Sequence, residues 1–100
     1  MVASVFADPS VLSDVCRRHH ITRLALFGSM LKGTARSDSD IDLLVEFARG
    51  KEPGLLRLAA IEAELSVLAG GQRVDLRTAQ DLSRHFREDV IRTAQVQYAA

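Results

Sequence analysis

The sequence predicts an α/β (α+β) domain: a small mixed sheet of three to four strands with helices packed on it. Three observations predict this. Short runs at positions 21–27, 40–47 and 73–77 have strand length and are rich in Ile, Leu, Val and Phe. Stretches at about 9–20, 54–69 and 79 into the 90s carry apolar residues at helical spacing instead. The order strand, helix, strand over 40–77 makes the second and third strands parallel neighbours, joined by a right-handed crossover.

In chain order, Asp8-Pro9 has the chemistry of a helix start, an acceptor for orphan amides followed by a residue that lacks the N–H. Val11, Leu12, Val15 and Cys16 then share one helical face, where Cys16 reads as core filling. His19 and His20 are adjacent and cannot converge on one ion from a helix. The first strand, 21–27, stops at Gly28, a short helical turn is expected at 29–32, and 34–39 is small, polar loop chemistry. The second strand is nearly unbroken apolar sequence after Asp42, which predicts burial on both faces. In the helix at 54–69, Leu58, Ile61, Leu65 and Leu68 form the buried stripe. The third strand alternates, with Val74 and Leu76 on one face and Arg73, Asp75 and Arg77 on the other. Thr78 with Asp81 resembles a capping box, so the last helix is expected from near 79 into the 90s, with Leu82, Phe86, Val90 and Ala94 recurring every four residues. Arg84, His85, Arg87 and Arg92 give it a basic surface, a solvated face or a contact for a partner or nucleotide. Positions 96–100 read as a mildly apolar tail, with Tyr98 exposed for a partner.

Composition limits what such a domain does. One hundred residues, 47% hydrophobic, suit one domain over 1–100. Thirteen basic residues balance thirteen acidic ones, which offers no track for stable nucleic-acid binding or an anionic membrane surface. The early Asp8 and Pro9 argue against a secretory signal, no apolar run reaches the length of a membrane span, and a lone cysteine fits a reducing compartment. The expected location is the cytoplasm.

Asp40 and Asp42 are the anomaly. Two carboxylates two residues apart at a strand start point to one side of the sheet. Each resists ionisation beside the other unless a cation sits between them. A parallel third strand brings Asp75 beside them if the three share a face; by itself Asp75 also reads as an ordinary exposed strand residue. Gly28-Ser29 offers backbone amides and a hydroxyl to an anion with no side chain in the way, although the same pair makes plain turns. Two-metal sites hold their ions roughly 4 Å apart, and alternate strand residues stand roughly 7 Å apart, so two leaning aspartates span such a pair. An all-oxygen set without His or Cys favours Mg2+ over zinc. Together these pieces point to phosphoryl or nucleotidyl transfer from a triphosphate.

Gly28-Ser29, Gly33 and Ser39-Asp40-Ile41-Asp42, with Val74-Asp75-Leu76 downstream, resemble the G-S-x-x-x-G … S-D-x-D signature of the polymerase-beta-like nucleotidyltransferases. The compact order over 21–98 resembles their minimal nucleotidyltransferase (MNT) subgroup, antitoxin partners of HEPN ribonuclease toxins in bacteria and archaea. The resemblance implies the polymerase-beta-like fold, with Asp40 and Asp42 as ligands of two Mg2+ ions. It makes Asp75 the third ligand and the base for the incoming hydroxyl. Gly28 and Ser29 would bind nucleotide phosphate, with Lys32, Gly33 and Ser39 in the same binding run. The implied reaction transfers AMP from ATP to a tyrosine of the toxin, within an oligomeric complex of the two. One departure stands out. Members of the subgroup often carry Gly-Ser-Arg-x-Arg-Gly, whereas Met30 and Lys32 occupy the arginine positions here, leaving a point charge or another clamp, Arg36 or Arg73, to steady the phosphates. The competing expectation is a catalytically weak antitoxin that neutralises its toxin by complex formation. Transfer to RNA or an antibiotic is a third, weakened by the lack of room for an acceptor-binding domain.

Overall fold

The computed structural model describes residues 6–28 and 40–100. Helix α1 (Pro9–Arg18) starts as its first residues dictate: Asp8 Oδ1 accepts from the Ser10 and Val11 amides at 3.0 and 3.3 Å, and Pro9 takes the first helical position. Such a cap contributes about 1 kcal/mol. The helix buries Leu12, Val15 and Cys16, and burial pushes the Cys16 thiol up to about 11, so it stays protonated and inert. Strands β1 (Ile21–Phe27) and β2 (Ile41–Phe47) are antiparallel, from Ile21 opposite Phe47 to Phe27 opposite Asp42. Helix α2 (Leu55–Leu68) crosses to β3 (Val74–Arg77), which lies parallel to β2 with Asp42 opposite Asp75. A 3-10 turn (Ala79–Asp81), helix α3 (Arg84–Thr93) and strand β4 (Gln95–Ala99) complete the chain. The sheet is mixed and four-stranded, in the order β3-β2-β1-β4.

Both faces of the sheet are used. On one, Leu24, Leu26, Ile41, Leu43 and Val45 pack with Leu12, Val15 and Cys16 of α1 and with Ile61 and Leu65 of α2. On the other, Phe27 and Leu44 meet Leu82 and Val90 in a smaller cluster. This two-sided burial is what the unbroken apolar run of β2 predicts. Among the described residues no helix is long and apolar enough to cross a membrane.

Two expectations need correction. The last helix does not run continuously from near 79. Asp81 Oδ2 accepts from the Thr78 amide and hydroxyl, both at 3.0 Å, but the motif caps only the 3-10 turn. Leu82 then takes an extended conformation (φ −88°, ψ 143°) and is buried against the second face, and Ser83 caps α3 afresh. The apolar tail is a strand: Gln95–Ala99 pairs antiparallel with β1 and supplies partners to an edge that would otherwise be bare. Tyr98 stands opposite Leu24, half-buried against the main core, and is not a free docking residue. The turn expected at 29–32 and the loop at 34–39 lie outside the described residues.

Candidate active site

Alternation along β2 sends Ile41, Leu43 and Val45 into the main core and leaves Asp42 and Leu44 on the opposite face. Asp40, exposed just ahead of the strand, belongs to the same parity. Val74 and Leu76 of β3 enter the main core likewise, so Asp75 shares the face of Asp42, and the ladder sets the two directly opposite each other. The Ile41 amide donates to the Arg73 carbonyl at 2.7 Å, fixing this register at the mouth of the strand pair.

The electrostatics follow. Asp42 is half-buried, and its carboxyl is held above the ordinary carboxylate range by desolvation first, then by the Asp75 and Asp40 carboxylates, with Arg77 opposing. Asp75 Oδ2 accepts from Arg77 Nε at 3.2 Å and Nη2 at 3.0 Å. Among the described residues no three His, Cys, Asp or Glu side chains gather closely enough to hold a metal ion. The donors nonetheless have the chemistry that Mg2+ takes, hard oxygen only, and a divalent cation relieves both the desolvation and the like-charge repulsion that raise the Asp42 pKa.

Gly28 closes the site from β1. Its φ of +82° is left-handed, and a Cβ built on it would collide with Asp42 Oδ2 and lie 3.2 Å from Asp42 Cγ. The bare backbone at Gly28 is therefore what lets the Asp42 carboxylate sit where it does. Ser29, Lys32, Gly33 and Ser39, and with them Met30 and Arg36, lie outside the described residues.

Two residues gain a part that the sequence reading did not give them. In the sequence Arg77 falls on the acid face with no role attached, although its two-residue spacing from Asp75 carries the signal. Glu62 gave no signal. From α2 its Oε2 accepts the Leu76 amide at 2.7 Å, an N–H that faces away from β2. One turn further on, Ser66 Oγ donates to the Gln72 carbonyl at 2.6 Å. The pair ties the edge strand that carries Asp75 to the helix behind it.

A mixed sheet that collects acids at one end, beside a glycine bend, defines a domain built for phosphoryl or nucleotidyl transfer. Comparison with known proteins makes the class specific. The profile of the nucleotidyltransferase domain family matches residues 9–96, and the chain belongs to that family and is an enzyme of that kind. The protein adenylyltransferase MntA of Thermococcus cleftensis is 36% identical over 79 residues, 79% of this chain and 77% of the relative. A solved structure of a candidate minimal nucleotidyltransferase superposes with a TM-score of 0.68 at 40% identity, covering 86% of this chain and 85% of its own. A chain from a toxin–antitoxin complex with AMP-PNP gives a TM-score of 0.70 over 93% of this chain and 74% of its own; at 21% identity this likeness concerns the fold.

Proposed function

We propose that this chain is a Mg2+-dependent protein adenylyltransferase, the antitoxin of a HEPN–MNT pair, which transfers AMP from ATP to a tyrosine of its HEPN ribonuclease toxin in the cytoplasm. The observation that carries the reading is the opposition of Asp42 and Asp75 across parallel strands, with Asp40 on the same parity and Gly28 against Asp42. The names of the similar MntA enzyme and of the toxin–antitoxin complex with AMP-PNP support the acceptor class and the nucleotide. Asp40, Asp42 and Asp75 would hold two Mg2+ ions, which supply charge neutralisation and orientation of the triphosphate. Gly28 keeps side-chain bulk away from the phosphates, with Ser29, Lys32, Gly33 and Ser39 as their further contacts. Asp75 takes the phenolic proton as the tyrosine oxygen forms its bond to the α-phosphorus, and the bond to the bridging oxygen breaks to release pyrophosphate. Arg77 holds the Asp75 carboxylate in place until substrate arrives. The test is transfer of labelled AMP from ATP to the purified toxin with Mg2+, followed by mapping of the modified residue. No transfer, or an Asp42→Asn variant as active as the parent, refutes it.

A second reading is favoured by the engagement of Asp75 with Arg77 and by the lack of a gathered cation cage among the described acids. In that reading the chain neutralises its toxin by complex formation with an idle site. Full neutralisation by an Asp40→Ala, Asp42→Ala variant would select it.

A further inference from the structure

Helix α2 is apolar on two faces. Ile61 and Leu65 lie in the main core, and the charged residues Glu62 and Glu64 are engaged by β3 and α1. On the opposite side Leu56, Ala60, Ala63 and Val67 form a continuous exposed stripe, at spacings of four, three and four residues. Leu56 is 91% exposed and Val67 76%, and Leu55 beside them 86%. Isolated exposed aliphatics are ordinary, but a stripe at coiled-coil spacing along a whole helix is the pattern of a surface that packs on another helix.

The stripe is also symmetric about its midpoint, between Ile61 and Glu62. Turning a second α2 end for end brings Leu56 against the second copy's Val67 and Ala60 against its Ala63, then repeats both contacts by symmetry. Large residues meet at the ends, and small ones at the centre let the backbones approach. The flanks agree in charge. Arg57, exposed, falls beside the second copy's Glu64, which Arg18 and His19 of its own chain also reach but whose side chain is still 38% exposed, and the same pair recurs across the axis. A self-complementary patch with matched charges is what a two-fold interface requires.

We propose that α2 is a homodimer interface, in which two copies of this chain pack antiparallel through Leu56, Ala60, Ala63 and Val67. A helix of 14 residues is about 21 Å long, and one helix-on-helix contact stays below the about 800 Å2 per partner of a standard interface. The dimer is therefore reversible and set by concentration. Its acid sites lie on the far face of each sheet, so both remain open. The inference is independent of which acceptor the enzyme modifies.

Sedimentation velocity of the full chain from about 1 to 500 μM tests it. The expected result is a shift from monomer toward dimer mass, with Leu56→Lys raising the dissociation constant roughly tenfold or more, because an isologous contact is lost twice. Leu56 is almost fully exposed, so the variant keeps the parent's circular dichroism and labelled-AMP transfer. Orientation is read by oxidative cross-linking. A mixture of Leu56→Cys and Val67→Cys chains cross-links, whereas neither variant does so alone, and the buried Cys16 takes no part. A monomer at every concentration, dimerisation untouched by Leu56→Lys, or cross-linking of Leu56→Cys with itself overturns the proposal.

Discussion

Replacing Gly28 with alanine separates backbone strain from damage to the acid site. At φ +82° any L side chain carries strain, roughly 1–2 kcal/mol for the left-handed region. In a domain of this size that lowers the unfolding midpoint by about 5–15 °C. The second effect is local: the new methyl overlaps Asp42 Oδ2, so the carboxylate must swing away from Asp75. A displacement of about 1 Å at a reacting group can cost on the order of 100-fold in rate. Gly50 provides the control. It has φ +79° with nothing within 4 Å of a built Cβ, so Gly50→Ala carries the same strain and no collision. Thermal unfolding followed by circular dichroism should show similar losses for the two variants, while labelled-AMP transfer falls about 100-fold for Gly28→Ala alone. If Gly28→Ala is as active as Gly50→Ala, the Gly28–Asp42 contact has no bearing on function and the argument for it fails.

Three further outcomes follow from the same geometry. Glu62→Ala leaves the buried Leu76 residue's amide without its acceptor and should cost about 1–3 kcal/mol, with a fall in kcat larger than any change in KM for ATP; Glu62→Gln, which retains a carbonyl acceptor, should restore both, and equal defects in the two variants would contradict the positioning role. Because the folded state raises the Asp42 pKa, the native protein binds more protons than the unfolded chain just above pH 3.8, so Asp42 costs stability as pH rises through that window. Asp42→Asn should thus lose activity with Mg2+ present, yet in EDTA match or exceed the parent in denaturant midpoint at pH 7, and a clear destabilisation there would count against the account of a desolvated carboxylate beside like charges. Cys16, buried and with its thiol pushed up to about 11, should resist iodoacetamide in the folded protein and react only in denaturant, as mass spectrometry would show.

Much of the site was legible because it depends on short-range periodicity. A carboxylate at every second position of a strand has a known side, so the shared face of Asp40, Asp42 and Asp75 could be read from the spacing in DID and VDL once a parallel crossover was granted. The capped start at Asp8-Pro9 and the first three strands are local in the same sense. What escaped was non-local. Five residues at Gln95–Ala99 are too short to announce a strand, and they become one because β1 offers them a free edge. Thr78–Asp81 carries a helix signal that the burial of Leu82 cuts short. Glu62 reads as a solvent-facing charge until β3 arrives with an unpaired amide.

The sequence by itself determined which side chains share a face and which chemistry they bring, since alternation and helical spacing are properties of the backbone alone. Only the tertiary structure decided how closely Gly28 approaches Asp42, what holds Asp75, and which apolar face of α2 is left uncovered. Those are contacts between residues far apart in the chain, and their geometry is fixed by packing, which no local pattern encodes.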